Sequence, residues 1–170
     1  MNLEQTVEFI QLAHANQKDK AGRPYWLHPV AVSIITPGNM DEKIAALLHD
    51  VVEDTSYSIE DLKKMGYNDN VLEMVSLVTR TKESGTYKEW IMSLANSKNI
   101  GAIHVKISDN LHNSSPSRMA NLEEDVRKGM TKRYFKARNI LMKALINLSD
   151  PCVSYFVSYC KENKILFKSK

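Results

Sequence analysis

One stretch constrains this chain more than any other. Residues 45–55 read AALLHDVVEDT, which sets four ionisable side chains into an otherwise apolar run. The apolar residues predict one buried helix through the whole stretch. Burying an imidazole and three carboxylates costs free energy unless each group has a partner, and a divalent cation is a common partner for neutral histidine beside carboxylate. The stretch therefore indicates a metal site, with a core histidine and solvated carboxylates as the alternative.

The spacing of the four ionisable residues strengthens the metal interpretation. On a helix His49 would lie over Glu53, and Asp50 over Asp54, because residues four apart are neighbours on a helix surface. Two adjacent turns would then present stacked polar pairs, which suits a metal with proton-transfer groups beside it. A complete metal site needs further ligands, and these must come from other parts of the chain.

Length and composition favour one helical domain. A chain of 170 residues is long enough for a single domain with a substantial core. Its 43% hydrophobic and 25% charged residues are ordinary for a soluble globular protein. Six glycines and five prolines leave few positions for the turns of a sheet, so we expect an all-α fold.

Charge and cysteine content limit the function classes. A net charge of +3 suits a small phosphate-bearing substrate but does not imply nucleic-acid binding. Cys152 and Cys160 are eight residues apart on a predicted helix, about 12 Å by the helical rise, which is too far for a disulfide within the helix. Neither a leader-like amino terminus nor an apolar run of about 20 residues is present. We therefore expect a cytoplasmic protein with reduced thiols and no membrane partner.

Helical periodicity recurs along most of the chain. We take residues 100–107 as helix although a short apolar run also fits a strand, and we place His28 at the amino-terminal boundary of a helix that Pro29 begins. Ser58 is the expected cap of a short helix, and Asp41 the expected cap of the helix that contains His49. The predicted helices cover residues 2–16, 29–35, 41–55, 59–65, 69–78, 87–95, 100–107, 134–148 and 151–163.

Two further polar clusters and one basic segment stand out. The loop 18–25 (KDKAGRPY) concentrates charge around a glycine and a proline, so its backbone can present cations to a ligand, with a solvated turn as the alternative. Asp109 falls at the end of a predicted buried element and needs a cation there. Seven cations lie within residues 127–143, and we interpret them mainly as a solvated face that adds stability and solubility, with one or two at most reaching a substrate.

Together His28, His49-Asp50 and Asp109 form the pattern His…His-Asp…Asp, which resembles that of the HD phosphohydrolase superfamily. The flanking residues 13–29 and 47–55 make the chain similar to the hydrolase domain of RelA/SpoT-type alarmone enzymes, including their small single-domain relatives. This resemblance covers residues 1–145 and is strongest before Thr81. It implies an all-α HD-domain helical bundle at residues 1–150, with residues 151–170 forming a carboxy-terminal helix and basic tail of the same domain.

The same resemblance implies a Mn²⁺-dependent hydrolase that removes the 3′-pyrophosphate from guanosine tetra- or pentaphosphate, although another divalent ion remains an alternative. The implied metal ligands are His28, His49, Asp50 and Asp109. Glu53 and Asp54 are implied to position and deprotonate the attacking water. Lys20 and Asn113 match positions near the nucleotide, and Lys18, Arg23 or Arg118 would add phosphate contacts.

Two positions depart from the pattern of the alarmone hydrolases. Asp19 stands where they usually have an arginine available to stack on guanine, and Asn110 stands where an arginine usually follows the last metal aspartate. A phosphatase of the same type that acts on another nucleotide, such as a dinucleotide phosphate or a nucleoside monophosphate, is therefore an alternative. A non-catalytic nucleotide-sensing module is a second one, but it would have little need for both Glu53 and Asp54. We expect a small nucleotide as the partner and no stable nucleic-acid complex, and the sequence leaves the oligomeric state open.

Overall fold

The computed structural model describes residues 1–120 and 122–167. Within these ranges the chain forms helices and one isolated antiparallel bridge between Lys18 and Pro24, which confirms the all-α prediction. Residues 168–170 of the predicted basic tail lie outside the described part. The helices are α1 (Leu3–Ala13), α2 (Leu27–Ile35), α3 (Met40–Leu48), α4 (Val51–Asp54), α5 (Ile59–Lys64), α6 (Asp69–Val78), α7 (Tyr87–Asn96), α8 (Ile100–Asn113), α9 (Pro116–Met119), α10 (Glu124–Asn147) and α11 (Val153–Glu162), with a 3₁₀ turn at Lys82–Ser84.

Side-chain caps set several of the helix starts. Ser58 caps α5 as predicted, since it accepts a hydrogen bond from the backbone N–H of Asp61. The predicted cap Asp41 is wrong: Asn39 caps α3 by accepting from the N–H of Glu42 at 3.1 Å, and Asp41 lies in the first turn. Asn is as good a cap as Asp, so composition alone does not choose between the two positions.

Helix α8 lies at the centre of the bundle. It packs against α2, α3, α6 and α10, and its residues from 102 to 111 are all buried. The helix predicted at 100–107 is thus confirmed, and it continues to Asn113. Its buried run includes His104, Lys106 and Asp109, so α8 carries polar groups into the core, where each of them needs a partner.

The single helix predicted through 45–55 is wrong. Helix α3 ends at Leu48, and α4 begins at Val51 after a turn at His49 and Asp50. At Asp50 the backbone angles are φ −102° and ψ −7°, each more than 30° from the ideal helical values. Its carboxylate accepts a hydrogen bond from the Tyr25 hydroxyl at 2.7 Å, a contact between distant segments that apolar periodicity does not encode.

Several other helix boundaries also differ from prediction. Helix α2 begins at Leu27, so His28 lies inside its first turn and not at its boundary. The long helix α10 begins at Glu124 and not at residue 134, because its first turns are charged and solvated and carry no apolar periodicity. Helix α1 ends at Ala13, and α11 begins at Val153 and not at Pro151.

None of the helices in the described ranges is long and apolar enough to cross a bilayer.

Candidate metal centre

Three segments of the chain bring the four predicted metal ligands together. His28 comes from α2, Asp109 from α8, and His49 and Asp50 from the turn after α3. The Nε2 atom of His28 lies 3.2 Å from Oδ1 of Asp109 and 3.4 Å from Oδ2 of Asp50. The Nε2 atom of His49 lies 3.1 Å from Oδ2 of Asp50 and 3.6 Å from Oδ1 of Asp109. One ligand atom each of His28, His49 and Asp109 lies within 4.8 Å of the other two, and the Asp50 carboxylate contacts both imidazoles.

The environment of His49 tests whether these residues fit a metal ion. Its Nδ1 atom lies 2.8 Å from the carbonyl oxygen of Ala46, which can only accept, so Nδ1 carries a proton. The opposite atom, Nε2, is buried and has no hydrogen-bond partner among the described residues. An imidazole fixed by its Nδ1–H, with Nε2 directed at carboxylates, is the usual arrangement of a histidine that binds a metal. The residues therefore fit a divalent cation.

The electrostatics of the cluster indicate the same need for positive charge. Burial lowers the pKa of His49, but the carboxylates of Asp50 and Asp109 together raise that pKa to about 10. Burial raises the pKa of Asp50, but the imidazoles of His49 and His28 hold it well below its usual range. In the absence of a metal, a proton on His49 compensates the two carboxylates. A divalent ion would supply the same compensation with more charge.

Groups that surround the cluster hold the two carboxylates in place. The Lys106 ammonium donates to Oδ2 of Asp109 at 2.7 Å and also lies 4.5 Å from the centre of the Trp90 ring. Asn113 donates to Oδ1 of Asp109 at 2.5 Å. The sequence analysis assigned no role to Lys106, although its position three residues before Asp109 on a helix predicts their contact.

His112 is a second residue that the sequence analysis did not assign. Its Nδ1 atom lies 2.7 Å from Nδ1 of His28, and the two rings stack with centroids 4.9 Å apart. Burial and the neighbouring His28 lower the pKa of His112 to about 3, so this ring is neutral and one of the two nitrogens donates to the other. The contact fixes the orientation of the His28 ring. No spacing rule joins positions 28 and 112, so only the folded chain reveals the pair.

The two predicted proton-transfer residues are both exposed but have different neighbours. Glu53 is exposed, and its carboxylate accepts a hydrogen bond from the backbone N–H of Arg80 at 3.0 Å. Burial and the nearby carboxylate of Asp50 raise the pKa of Asp54 above its usual range, which strengthens Asp54 as a base. The backbone carbonyl of Asp54 accepts from Gln17 at 2.6 Å, and Gln17 in turn contacts Nδ1 of the buried His14 at 2.8 Å.

A cleft of about 170 Å³ adjoins the cluster. Asn113 and Tyr25 line the cleft and also contact Asp109 and Asp50, so one layer of side chains separates the cleft from the candidate metal centre. All five residues predicted to contact the substrate line it: Lys18, Lys20, Arg23, Asn113 and Arg118. Its cations and its position suit an anionic ligand.

The two departures from the family pattern have different surroundings. Asp19 lines the cleft, but Arg23 occupies its carboxylate through Nε at 2.9 Å and Nη2 at 2.8 Å. Asn110 is buried in α8, where its side-chain oxygen accepts from Nη1 of Arg138 at 2.8 Å. A guanidinium therefore does lie beside position 110, but it comes from α10.

Comparison with known proteins identifies the family. A family model described as HD domain matches residues 6–130. The chain belongs to the HD-domain family. The matched range contains all four ligands of the candidate centre and the whole of α8, so the HD-domain resemblance inferred from the sequence is confirmed.

The curated relatives of this HD domain are longer proteins. A GTP pyrophosphokinase of Streptomyces coelicolor is 32% identical over 74% of the chain and 16% of its own length. A guanosine-3′,5′-bis(diphosphate) 3′-pyrophosphohydrolase of Haemophilus influenzae is 36% identical over 71% of the chain and 19% of its own length. A probable guanosine-3′,5′-bis(diphosphate) 3′-pyrophosphohydrolase of Synechocystis is 40% identical over 59% of the chain and 14% of its own length. The chain thus spans less than a fifth of each of these relatives.

A solved structure confirms the fold along nearly the whole chain. It is described as a metazoan ortholog of SpoT that hydrolyzes ppGpp and plays a role in starvation responses. The two chains superpose with a TM-score of 0.73 and 23% sequence identity, and the match covers 96% of each. At this identity the likeness establishes the fold.

Proposed function

We propose that this HD domain is a metal-dependent phosphohydrolase that removes the 3′-pyrophosphate from guanosine 3′,5′-bis(diphosphate) or its pentaphosphate form. One observation carries the proposal: the buried cluster of His28, His49, Asp50 and Asp109 lies beside a cleft lined by cations, and Tyr25 and Asn113 join the two. The cluster suits a metal ion, and the cleft suits a ligand with several phosphates. Relatives described as acting on this nucleotide support the choice of substrate.

The ligand set supports a hard or borderline divalent ion. Mixed imidazole and carboxylate ligation suits Mn²⁺, and other divalent ions of similar size are also compatible. Such an ion, when bound, lowers the pKa of water and stabilises negative charge on a phosphoryl oxygen. A non-catalytic nucleotide sensor would have no use for this arrangement, so the cluster argues for an enzyme.

The residues around the cluster divide the remaining work. In the hydrolysis the oxygen of water forms a bond to the phosphorus that carries the 3′ oxygen, and the bond between that phosphorus and the 3′ oxygen breaks. Asp54, with its raised pKa, accepts a proton from the water, and Glu53 orients it. The 3′ oxygen leaves with the electron pair of the broken bond and takes a proton from solvent, so the products are a 3′ hydroxyl and pyrophosphate. Cations from the cleft, Lys18, Lys20, Arg23 and Arg118, hold the phosphates.

We also propose that the described chain forms one domain and that the protein is cytoplasmic. Phe156 of α11 is fully buried, and its ring lies 5.6 Å from the ring of His104 in the central helix α8. This packing supports residues 151–167 as part of the same domain as residues 1–150. Cys152 and Cys160 are free thiols, which suits a reducing compartment.

A second candidate is a phosphatase of the same type with a different nucleotide as substrate. The observation that favours it is Asp19, because its carboxylate faces the cleft and already binds Arg23. An aspartate in this state cannot stack on a base as an arginine does. The metal chemistry is unchanged in this candidate, and only the base differs.

One screen separates these candidates. The purified protein, loaded with Mn²⁺, is incubated with a panel of guanine, adenine and dinucleotide phosphates, and released phosphate and pyrophosphate are identified separately. The proposal expects pyrophosphate from the 3′-pyrophosphorylated guanosine nucleotides. Release of orthophosphate from another nucleotide would favour the second candidate, and no release from any member of the panel would contradict both.

A further inference from the structure

A second cluster of potential metal ligands lies away from the cleft, around His104. His104 belongs to α8, and it is five residues before Asp109, which places the two side chains on different sides of the helix. Asp150 and Cys152 approach it from the connection between α10 and α11. One nitrogen of His104, one oxygen of Asp150 and the sulfur of Cys152 all lie within 4.8 Å of one another.

We propose that His104, Asp150 and Cys152 form a second metal site, selective for Zn²⁺ or a similar thiophilic cation. Nε2 of His104 and Oδ1 of Asp150 are 3.1 Å apart, the same separation as the shortest nitrogen-to-oxygen distance in the main cluster. Ligands about 2.0 to 2.3 Å from a tetrahedral Zn²⁺ lie roughly 3 to 4 Å from each other. The nitrogen-to-oxygen distance falls in this range, and the sulfur lies within 4.8 Å of both atoms, so a small movement of Cys152 would bring the three donors to the spacing of one ion.

Glu42 contacts the other nitrogen of the His104 ring. Its carboxylate lies 2.7 Å from Nδ1 of His104, so Nδ1 donates to it, while Nε2 faces Asp150. A carboxylate that holds the far nitrogen of a histidine is a regular feature of zinc sites, where it fixes the ring and raises its basicity. His104 is 2% exposed, so the ring is held rigidly in the core.

Two glycines make room for the Glu42 carboxylate. Gly38 has φ 96°, and a Cβ built on it would collide with the carboxylate of Glu42. A Cβ on Gly101 would collide with Met74 and press on the side chain of Glu42. The chain thus keeps side chains away from Glu42 on two sides, as expected if its contact with His104 is important.

The thiol of Cys152 determines which cation the site prefers. Cysteine is a soft ligand that selects zinc-like ions over Mn²⁺. Burial raises the pKa of Cys152, and the carboxylates of Asp150 and Glu42 raise it further, so the thiol is protonated until a cation arrives. Cys152 is only partly buried, which gives an ion a route from solvent. The main cluster contains no sulfur, so the two sites differ in the ion that they favour.

A proton competes with the ion for the same nitrogen. Burial lowers the pKa of His104, but Glu42 and Asp150 raise it above its ordinary value, so the ring of the metal-free protein bridges the two carboxylates as an imidazolium. If this bridge is the only role of the cluster, Cys152 contributes its backbone N–H, which donates to Oδ1 of Asp150 at 2.8 Å, and its sulfur takes no part. The contribution of the Cys152 sulfur therefore separates a metal site from an ion-pair bridge.

The test uses Co²⁺ as a spectroscopic substitute for Zn²⁺ in the full chain after treatment with a chelator. The proposal expects a sulfur-to-cobalt charge-transfer absorption in the near ultraviolet, which Zn²⁺ then abolishes by displacing the cobalt. Cys152→Ser should remove the absorption, whereas the matched control Cys160→Ser should retain it. Glu42→Gln should weaken Zn²⁺ binding by about 10- to 100-fold.

Two results would overturn the proposal: absence of the absorption in the unmodified protein, or its survival in Cys152→Ser. Circular dichroism verifies that each variant is folded. Cys152→Ser changes only a partly buried thiol, so we expect this variant to fold. Turnover with Mn²⁺ should be the same in Cys152→Ser as in the unmodified protein. The second site and the proposed hydrolase activity can therefore fail independently.

Discussion

Replacing Lys106 by methionine should destabilise the metal-free protein strongly and the metal-loaded protein much less. The Lys106 ammonium is buried and lies 2.7 Å from Oδ2 of Asp109. Removing one member of a buried ion pair leaves the other charge uncompensated, at a cost of about 3–5 kcal/mol. Loss of the contact with the Trp90 ring adds about 0.5–2 kcal/mol, while methionine preserves most of the packing volume.

The bound metal changes this cost because it also neutralises Asp109. For a domain of this size, 1 kcal/mol corresponds to about 2–4 °C in Tm, so a loss of about 3.5–7 kcal/mol should lower the Tm of the metal-free variant by roughly 7–28 °C. Saturating Mn²⁺ should raise the Tm of the Lys106→Met variant more than it raises that of the unmodified protein, because binding relieves an additional buried charge.

The assay is thermal unfolding followed by circular dichroism, with and without Mn²⁺. The matched control is Lys128→Met, because Lys128 forms an ion pair with Glu124 at 2.6 Å on an exposed surface, where such a pair contributes about 1 kcal/mol or less. Two results would refute the reasoning: a metal-free Lys106→Met variant as stable as the control, or an equal response of the variant and the unmodified protein to Mn²⁺.

Three further predictions follow from the site and its supports. Glu53→Gln and Asp54→Asn should keep the fold and the metal while turnover falls by about 10²- to 10⁴-fold, and metal analysis with steady-state kinetics checks this; loss of metal would make the residue a ligand. Asn110→Ala should cost about 1.5–3 kcal/mol in chemical unfolding, because the buried guanidinium of Arg138 loses an acceptor, and an unchanged midpoint would contradict that role. The solvated-face interpretation is wrong for Arg138, which is buried, and holds for the exposed cations of residues 127–143. Charge reversals of those exposed cations, such as Lys132→Glu, should leave KM nearly unchanged, and a sharp rise in KM for most of them would reject the interpretation.

The fold class and the approximate positions of most helices could be predicted from the sequence, because apolar periodicity and capping residues are local signals. The break at His49 and Asp50 could not, since it goes with a hydrogen bond from Tyr25, a residue far away in the sequence. The early start of α10 was missed because its first turns face solvent. Local rules describe what a segment prefers, and these differences arise from contacts that only the folded chain makes.

In the candidate site, too, local sequence signals predicted some residues, whereas contacts between distant segments could not be predicted. Ionisable residues in an apolar run pointed to His49 and Asp50, and the family resemblance supplied His28 and Asp109. Lys106 was within reach of a helical spacing rule, whereas the contact of His112 with His28 joins distant positions and follows from no local pattern. The contact of Arg138 with Asn110 likewise joins distant positions, because the guanidinium beside Asn110 comes from α10 and not from a neighbouring residue in the sequence.

The most direct test of the central claim is anomalous diffraction at the manganese absorption edge from crystals grown with Mn²⁺. The account predicts one manganese peak within bonding distance of the Nε2 atoms of His28 and His49 and of the carboxylates of Asp50 and Asp109, and no such peak in Asp109→Ala crystals. A peak at any other place in the unmodified protein, or full occupancy of the same position in Asp109→Ala, would contradict it.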